Sequence, residues 1–207
     1  MSRHHPFQII GYHSCDKEVG LDVLHGKKNL LPSNNNWDWL GDGIYFWEQE
    51  PYRALNYAIE VAEKKQYNKT GIKTPFVLGA IIELGNCLNL VESYSLSILK
   101  EAHAGLLKMY NEVGKIVPQN NGPKRKLDCA VIKYIHQTRK ESGETSYDTV
   151  RSAFDEGDKV YEGANFTSRH HIQVCVRNDS QIKGYFLPRP LEEFNPYLFK
   201  DFGASDN

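Results

Sequence analysis

Three polar side chains in or beside predicted β-strands are the residues best suited to bind a ligand. His13 follows a short β-favouring run, Tyr45 lies inside a second run, and Gln173 interrupts an otherwise apolar third run. Taken singly, each has a structural explanation, because such side chains commonly satisfy hydrogen bonds, pack or face water. Gln173, however, shares one face of its predicted strand with Cys175, and a mixed face of that kind can border a cleft.

Several catalytic motifs are missing from the chain. The sequence contains no phosphate-binding Gly-Lys-Ser loop, no three-glycine dinucleotide fingerprint and no Gly-x-Ser-x-Gly elbow. These absences argue against kinases, Rossmann dehydrogenases and α/β-hydrolases. The four cysteines form no Cys-x-x-Cys pair and have no histidine at ligand spacing, so we expect reduced thiols and no metal site.

Length and charge narrow the class of protein. The 207 residues are predicted to form one domain, with residues 1–6 and 203–207 as flexible tails. Lys and Arg (25) nearly balance Asp and Glu (26), so the net charge of -1 gives no overall reason to expect a nucleic-acid partner. No signal peptide or membrane span is evident, which predicts a cytoplasmic protein without a membrane partner.

The first half of the chain alternates strands and helices. We predict a strand over 7–12 with His13 at its tip, a helix over 16–25, a strand over 44–47 and a helix over 53–66 introduced by Pro51. A turn-rich loop over 32–43 contains Trp37 and Trp39, which either cover a ligand or anchor the loop in the core.

The second half continues this pattern. Residues 76–90 are predicted as a strand broken at Gly85-Asn86, and residues 93–113 and 127–137 as helices. The segment 147–155 fits either a short helix or an irregular loop. The strands predicted over 171–177 and 182–187 are expected to close as a hairpin. Together these elements favour an α+β fold over a parallel doubly wound sheet.

Three segments, taken in order along the chain, resemble the ADP-ribosyltransferase superfamily of the His-Tyr-Glu/Gln type. Residues 12–15 (Tyr-His-Ser-Cys) are similar to its Tyr/Trp-His-Gly-Ser/Thr opening. Residues 41–46 (Gly-Asp-Gly-Ile-Tyr-Phe) and the helix after them are similar to the Gly-x-Gly-Ile-Tyr-Phe segment of poly(ADP-ribose) polymerase-type and diphtheria-toxin-type domains. Residues 173–183 resemble the stretch that begins there with the catalytic glutamate. The resemblance implies a split, mainly antiparallel β-sandwich core with flanking helices.

The resemblance also implies a co-substrate and a role for each matching residue. NAD would be bound bent, without a metal, so that its bond to nicotinamide can break. His13 would hydrogen-bond the adenine-side ribose, and the backbone of Ser14 would pair with the nicotinamide carboxamide. Tyr45 would stack on the nicotinamide ring and Tyr57 would close its other face. These contacts orient the leaving group.

Two departures from the family pattern affect the expected chemistry. Ser14 replaces a glycine, and Gln173 replaces the glutamate. A neutral amide can hydrogen-bond a ribose hydroxyl, but it cannot stabilise a cation by charge or take a proton. We therefore expect transfer of a single ADP-ribose rather than chain elongation. Glu156, in an acidic loop, is our first candidate for the missing carboxylate, and the alternative interpretation of that loop is a solvated turn. Glu83, within an apolar strand, is the second candidate.

The resulting hypothesis is an NAD-dependent mono-ADP-ribosyltransferase that modifies a macromolecular acceptor, either protein or nucleic acid. Such a compact enzyme suits a toxin or an antiviral defence effector, for which an inhibitory partner protein is one expectation. Three alternatives remain open: an NAD glycohydrolase, an RNA 2'-phosphotransferase on the same fold, and a catalytically silent module that binds NAD or ADP-ribose. The paired arginines and histidine that the phosphotransferase uses have no convincing equivalent in the sequence.

Overall fold

The computed structural model describes residues 8–64 and 71–203 and shows an α+β fold. Its strands are β1 (Gln8–Asp16), β2 (Ile44–Glu48), β3 (Pro75–Glu83), β4 (Cys87–Asn89), β5 (Asn120–Asn121), β6 (Lys124–Arg125), β7 (Thr149–Phe154), β8 (His171–Val176) and β9 (Ile182–Phe186). Its helices are α1 (Lys17–Leu24), α2 (Pro51–Glu63), α3 (Ser93–Glu112), α4 (Lys126–Glu141) and α5 (Leu191–Phe194). Phe7, Gln66 and nearly all of the two predicted tails lie outside the described residues.

Seven strands form one mostly antiparallel sheet in the order β4-β7-β8-β2-β1-β3-β9, and β5 pairs with β6 separately. The pairing of β4 with β7 is parallel, and the other neighbours in the large sheet are antiparallel. β1 pairs with β3 along its whole length, from Gln8 to Asp16. It pairs with β2 only at Gly11 and Tyr12. The sheet therefore opens between β1 and β2 beyond Tyr12.

Apolar side chains cover both faces of the sheet. On one face, Phe46, Leu78, Ile82 and Val174 form a fully buried cluster. On the other, the helices α3 and α4 pack over β7 and β8 and bury a second cluster that includes Ile132. α2 covers the same face beside β1 and β2. Burial on both faces explains why several strands are apolar throughout instead of alternating.

Local sequence signals account for the two helices that flank the opening. Asp16 caps α1 by accepting a hydrogen bond from the amide of Glu18, and Pro51 occupies the first turn of α2. α2 buries Ala54, Leu55, Ala58 and Ala62, which recur at helical spacing. None of the helices within 8–64 and 71–203 is long and apolar enough to cross a membrane.

Three expectations about the strands were wrong. β1 continues to Asp16, so His13 lies inside the strand and not at its tip. Residues 149–154, predicted as a helix or a loop, are a strand, because the sheet offers two partners, β4 and β8. β8 and β9 form no hairpin: β8 lies between β7 and β2, whereas β9 pairs with β3 at the edge of the sheet. Alternation identifies a strand but does not identify its partner.

Candidate functional site

The site begins where β1 and β2 separate. The carbonyl oxygen of Ile10 accepts a hydrogen bond from the amide of Gln49, so the backbone groups of Ile10, Tyr12 and, by alternation, Ser14 are directed towards β2. After Tyr12 pairs with Trp47, the next such pair would join Ser14 to Tyr45, but that pair is not formed. We call this opening, defined by Ser14 and Tyr45, the β1–β2 gap.

The imidazole of His13 occupies one side of the β1–β2 gap. Its Nδ1 lies 2.8 Å from the carbonyl oxygen of Tyr45, and its ring centre lies 5.6 Å from that of Phe46. A carbonyl oxygen only accepts hydrogen bonds, so Nδ1 carries the proton and donates it. Burial lowers the pKa of His13, although the bond to Tyr45 opposes this shift. The neutral ring thus keeps a lone pair on Nε2 that can accept a bond from a ligand hydroxyl.

The ring of Tyr45 is held by its hydroxyl. This hydroxyl donates to the carbonyl oxygen of Gly41 at 2.6 Å and accepts from the amide of Leu40 at 2.9 Å. Burial is the main cause that raises the pKa of the phenol, so the group is uncharged at neutral pH. Because the hydroxyl is occupied by the loop, what Tyr45 offers a ligand is its ring.

The loop 32–43 is ordered by its own polar side chains. Asp38 accepts hydrogen bonds from the Ser33 hydroxyl and the Asn35 amide, each at 2.8 Å. Lys133 of α4 forms an ion pair with Asp42 at 2.7 Å and also donates to the carbonyl oxygen of Asn35. The loop is therefore tied to α4 on the side of the sheet that carries Tyr45.

The two tryptophans of the loop differ. Trp39 donates from its indole nitrogen to the carbonyl oxygen of Pro123 at 2.8 Å, and its ring centre lies 4.6 Å from that of Phe154. Arg125 lies over the same ring. Trp39 is thus a packing anchor, whereas Trp37 remains 37% exposed and is the residue of the two that a ligand can reach.

Helix α2 covers the β1–β2 gap on the face of the sheet that carries Trp47. The hydroxyl of Ser14 donates to the carbonyl oxygen of Ala54, which fixes β1 against the helix. One turn further on, Tyr57 packs on Trp47 with ring centres 5.1 Å apart, and burial raises the pKa of its phenol. Tyr57 is still 37% exposed, so one side of its ring is accessible.

Gln173 lies on the strand next to Tyr45 and on the same face of the sheet. The register pairs Tyr45 with Cys175 and Trp47 with Gln173, so Tyr45 and Gln173 are diagonal neighbours, roughly 7–8 Å apart between Cα atoms. The amide nitrogen of Gln173 lies 2.9 Å from Nε2 of His171. The amide is therefore held by a side chain two residues earlier on β8.

Glu156 lies close to this pair. Its carboxylate is 3.9 Å from Nε2 of His171 and 3.5 Å from the guanidinium of Arg53. Arg53, only 12% exposed, also lies 5.9 Å from the centre of the Trp47 ring. Two of its nitrogens, Nε and Nη1, have no hydrogen-bond partner among the described residues. The Glu156 carboxylate, the largely buried guanidinium of Arg53 and the two polar strand residues His171 and Gln173 thus meet beside the gap.

A cavity of about 330 Å³ opens next to these residues, and we call it the Arg53 cavity. Its walls come from the first turns of α2 and from the segment leading into β8, and include Arg53, Asn56, Arg169 and His171. Arg169 is held by an ion pair with Glu60 at 3.0 Å. A second cavity of about 310 Å³, the α3–α4 cavity, is lined by Leu106, Tyr110, Tyr134 and other residues of the two helices.

The structure brings together most of the residues singled out in the sequence. His13, Ser14 and Tyr45 meet at the β1–β2 gap, and Gln173 and Glu156 lie on the strand and loop beside it. Tyr57 lies over Trp47, which belongs to the last β1–β2 pair before the gap. Glu83 is elsewhere: it pairs with Lys183 and lies opposite Gln8, which is five positions along β1 from His13.

Two residues of this cluster, Arg53 and His171, were not expected from the sequence. His171 could have been found, since it precedes Gln173 by two positions on a strand and so shares its face. Arg53 follows Pro51 in the first turn of a helix and carries no comparable signal. Within the described ranges, no three His, Cys, Asp or Glu side chains are grouped as a metal ion would require.

Comparisons with known proteins add one relative. No protein-family model matches the chain, and no solved structure matches it. The chain is 29% identical to an uncharacterised protein of Methanocaldococcus jannaschii, over 90% of this chain and 91% of that protein. The similarity therefore extends along nearly the whole of both chains and is not limited to one motif.

Proposed function

We propose that this protein is an NAD-dependent mono-ADP-ribosyltransferase. The observation that carries the proposal is the hydrogen bond of His13 to the carbonyl oxygen of Tyr45 at the point where the β1–β2 ladder stops. There the imidazole of His13 and the backbone groups of Ser14 border one opening, and the ring of Tyr45 lies next to it on the face of the sheet covered by α3 and α4. Such an opening suits a ligand that has an amide, an aromatic ring and ribose hydroxyls, as the nicotinamide half of NAD does.

In this proposal the residues at the gap orient the leaving group. The backbone of Ser14, directed towards β2, pairs with the carboxamide of nicotinamide, and Tyr45 stacks on its ring. Nε2 of His13 accepts a hydrogen bond from a ribose hydroxyl. Tyr57 contributes the exposed side of its ring from α2. These contacts restrict the geometry of the bond to be broken and need no proton transfer.

The charge that favours cleavage comes, in this proposal, from Glu156. Gln173 accepts a hydrogen bond from a ribose hydroxyl but is uncharged. The carboxylate of Glu156 lies 3.9 Å from His171, which binds Gln173, so a negative charge is present next to the amide. It can stabilise the positive charge that develops on the ribose as nicotinamide departs. The nearby Arg53 offsets part of this effect, so we expect a slow enzyme.

The acceptor is expected to enter through the Arg53 cavity, whose walls include Arg53 and His171. Both of these side chains lie within 4 Å of the Glu156 carboxylate. We propose a macromolecular acceptor, modified once, because an amide at position 173 cannot activate successive ribose hydroxyls. The proposal includes a finer description of the fold, in which β1-β3-β9 and β4-β7-β8-β2 are the two halves of a split β-sandwich that diverge at the gap. It also places the activity in the cytoplasm, where NAD is available.

The test is incubation of the protein with NAD labelled in its adenylate part, together with cell lysate. We expect label to become attached to macromolecules, and digestion in parallel with protease and nuclease to show which class carries it. Release of nicotinamide should require the lysate. If NAD is bound but neither labelled product nor nicotinamide appears, the transferase proposal is wrong.

Substitutions at position 173 test the role of the amide. Gln173→Ala should leave NAD affinity within about threefold of the wild type but lower turnover at least tenfold, because the amide acts on the ribose and not on the stacked ring. Gln173→Glu should raise NAD hydrolysis, since it adds a charge. Gln137→Ala, which removes an exposed glutamine of α4, is the matched control. An unchanged rate in both position-173 variants would exclude Gln173 from the site.

One alternative function has structural support. A silent module that binds NAD or ADP-ribose fits the uncharged Gln173 and the Ser14 hydroxyl, which is bonded to Ala54 beside the gap. Saturable NAD binding without turnover would favour it. Nicotinamide release without any macromolecule would instead favour an NAD glycohydrolase, and removal of an RNA 2'-phosphate would favour the phosphotransferase.

A further inference from the structure

The imidazole of His171 forms hydrogen bonds through both of its nitrogens. His171 is the first residue of β8, and its side chain is 1% exposed. Nδ1 lies 2.6 Å from the carbonyl oxygen of Arg169, and Nε2 lies 2.9 Å from the amide nitrogen of Gln173. The ring of Phe154, with its centre 5.8 Å away, packs against the imidazole. The position of the ring is therefore fixed by packing and by two polar contacts.

These partners determine which nitrogen carries the proton. The carbonyl of Arg169 can only accept, so Nδ1 must donate to it. The amide nitrogen of Gln173 can only donate, so Nε2 must be the acceptor. Only the neutral imidazole protonated at Nδ1 satisfies both contacts. The same pairing fixes the glutamine: its NH₂ group faces His171, so Oε1 is directed away from the imidazole, and no residue in 8–64 or 71–203 donates to it.

We propose that His171 is a positioning residue that keeps the oxygen of the Gln173 amide turned towards the substrate. A neutral amide then presents to a ribose hydroxyl the same acceptor that a carboxylate would present. This inference rests on the proposed function for the role of the ribose hydroxyl, whereas the His171–Gln173 pairing stands on geometry alone. If Nε2 of His171 were protonated, it and the NH₂ group of Gln173 would both be donors and could not hydrogen-bond. The Gln173 amide would have to turn by about 180° to restore a hydrogen bond.

The groups around His171 determine the pH at which its Nε2 is protonated and the Gln173 amide turns. Glu156 lies 3.9 Å from Nε2, Arg53 lies 3.5 Å from Glu156, and His170 is adjacent on the chain. Burial lowers the pKa of His171 most strongly, Arg53 and His170 lower it further, and the Arg169 carbonyl and Glu156 oppose them. His171 is thus neutral at pH 7, and the amide is correctly oriented there. Turnover should be lost on acidification, below the ordinary histidine pKa of about 6.5.

Nitrogen NMR of the full chain with labelled histidine tests the pairing without reference to any activity. At pH 7.5 we expect the ring of His171, assigned by its absence in His171→Ala, to show a protonated Nδ1 and an unprotonated Nε2. The NH₂ signals of Gln173 should shift as His171 titrates. Finding the proton on Nε2, or a charged ring at pH 7.5, would overturn the inference.

A double-mutant cycle tests the positioning role. A carboxylate has two equivalent oxygens, so its function does not depend on a fixed orientation. His171→Ala should therefore lower kcat for NAD cleavage about tenfold in the wild-type background, with little change in KM, and have little effect in a Gln173→Glu background. The acidic loss of kcat should disappear in Gln173→Glu as well. Equal losses in both backgrounds would show a merely structural role.

His25→Asn is the matched control, because His25 is an exposed histidine at the end of α1, away from β8, and its replacement should leave the pH profile unchanged. If the wild type cleaves no NAD under any condition, the proposed function fails, while the NMR measurement still decides whether His171 orients Gln173. The two failures are therefore distinguishable.

Discussion

The two parts of the Tyr45 side chain have different partners. Its hydroxyl binds Leu40 and Gly41 of the loop, while its ring packs beside Cys175 at the β1–β2 gap. If the protein binds NAD as proposed, the ring contributes to affinity and the hydroxyl contributes to the order of the loop. A substitution that removes the whole side chain cannot separate these contributions, so a pair of variants is needed.

Tyr45→Phe should cost about 1–2 kcal/mol of unfolding free energy, from two lost hydrogen bonds, and change the dissociation constant for NAD by less than about fivefold. Tyr45→Ala should weaken NAD binding at least tenfold, because the stacking surface is removed. Calorimetric titration with NAD and urea unfolding measure the two effects. Equal affinity for NAD in both variants would show that the ring does not contact the dinucleotide.

At the residue scale, the sequence predicted the chemical types better than their geometry. His13, Tyr45 and Gln173 could be selected because each polar group stood in or next to a β-favouring run. Their tautomers and orientations could not be predicted, since these depend on the carbonyls of Tyr45 and Arg169. The first contact joins two strands and the second follows from the turn before β8, and neither arrangement leaves a periodic signal in the sequence.

The segment that joins the loop 32–43 to β2 depends on a glycine. At Gly43 a Cβ atom would lie 2.5 Å from the Cys175 sulfur and 2.6 Å from the carbonyl oxygen of Val176. Gly43 also pairs with Ser33 in an isolated bridge that closes the loop. The close approach of β2 to β8, which aligns Tyr45 and Gln173, therefore requires a residue without a side chain at this position.

Gly43→Ala should lower the free energy of unfolding by about 2–3 kcal/mol, since the new methyl group meets backbone that cannot easily move. Gly26→Ala is the control: Gly26 also has a positive φ, but nothing lies within 4 Å of a Cβ placed there. Its cost should be about 1 kcal/mol. Urea unfolding of both variants gives the comparison. Equal losses would mean that the contact with β8 is unimportant.

At the element scale, helices were predicted more reliably than strand partners. α1 and α2 follow from a cap, a proline and apolar periodicity, all of which are local. β7 was missed because Arg151 and Ser152 interrupt its apolar pattern, and Arg151 is instead satisfied by an ion pair with Glu48 on β2 at 2.6 Å. Interactions between strands that are distant in sequence therefore decided both the existence of β7 and the order of the sheet.

The stability of the whole molecule should depend on an uncharged histidine beside the buried cluster that α3 and α4 form over β7 and β8. His136 of α4 is buried, its ring meets that of Tyr147 edge-on, and neither of its nitrogens has a hydrogen-bond partner among the described residues. Burial, with Arg177 and Arg139 nearby, lowers the pKa of His136 to about 3. Between about pH 6.5 and pH 3, His136 is protonated in the unfolded chain and unprotonated in the folded chain. The free energy of unfolding therefore decreases as the pH is lowered through this range.

The wild type should therefore lose about 1–2 kcal/mol of unfolding free energy at His136 between pH 7.5 and pH 5, at up to about 1.4 kcal/mol for each unit below 6.5. His136→Phe, which keeps an aromatic ring and cannot titrate, should remove that part of the loss. His25→Asn, at an exposed histidine, should not. Urea unfolding at both pH values measures this. An unchanged pH dependence in His136→Phe would contradict the account.

The central claim at the scale of the whole molecule is that NAD binds in the β1–β2 gap. The most direct measurement is a titration of the isotope-labelled protein with NAD, followed through its backbone amide NMR signals. The shifts should be concentrated in residues 12–14, 40–47, 53–57 and 171–173. Saturation without shifts in these segments, or shifts confined to the α3–α4 cavity, would contradict the account.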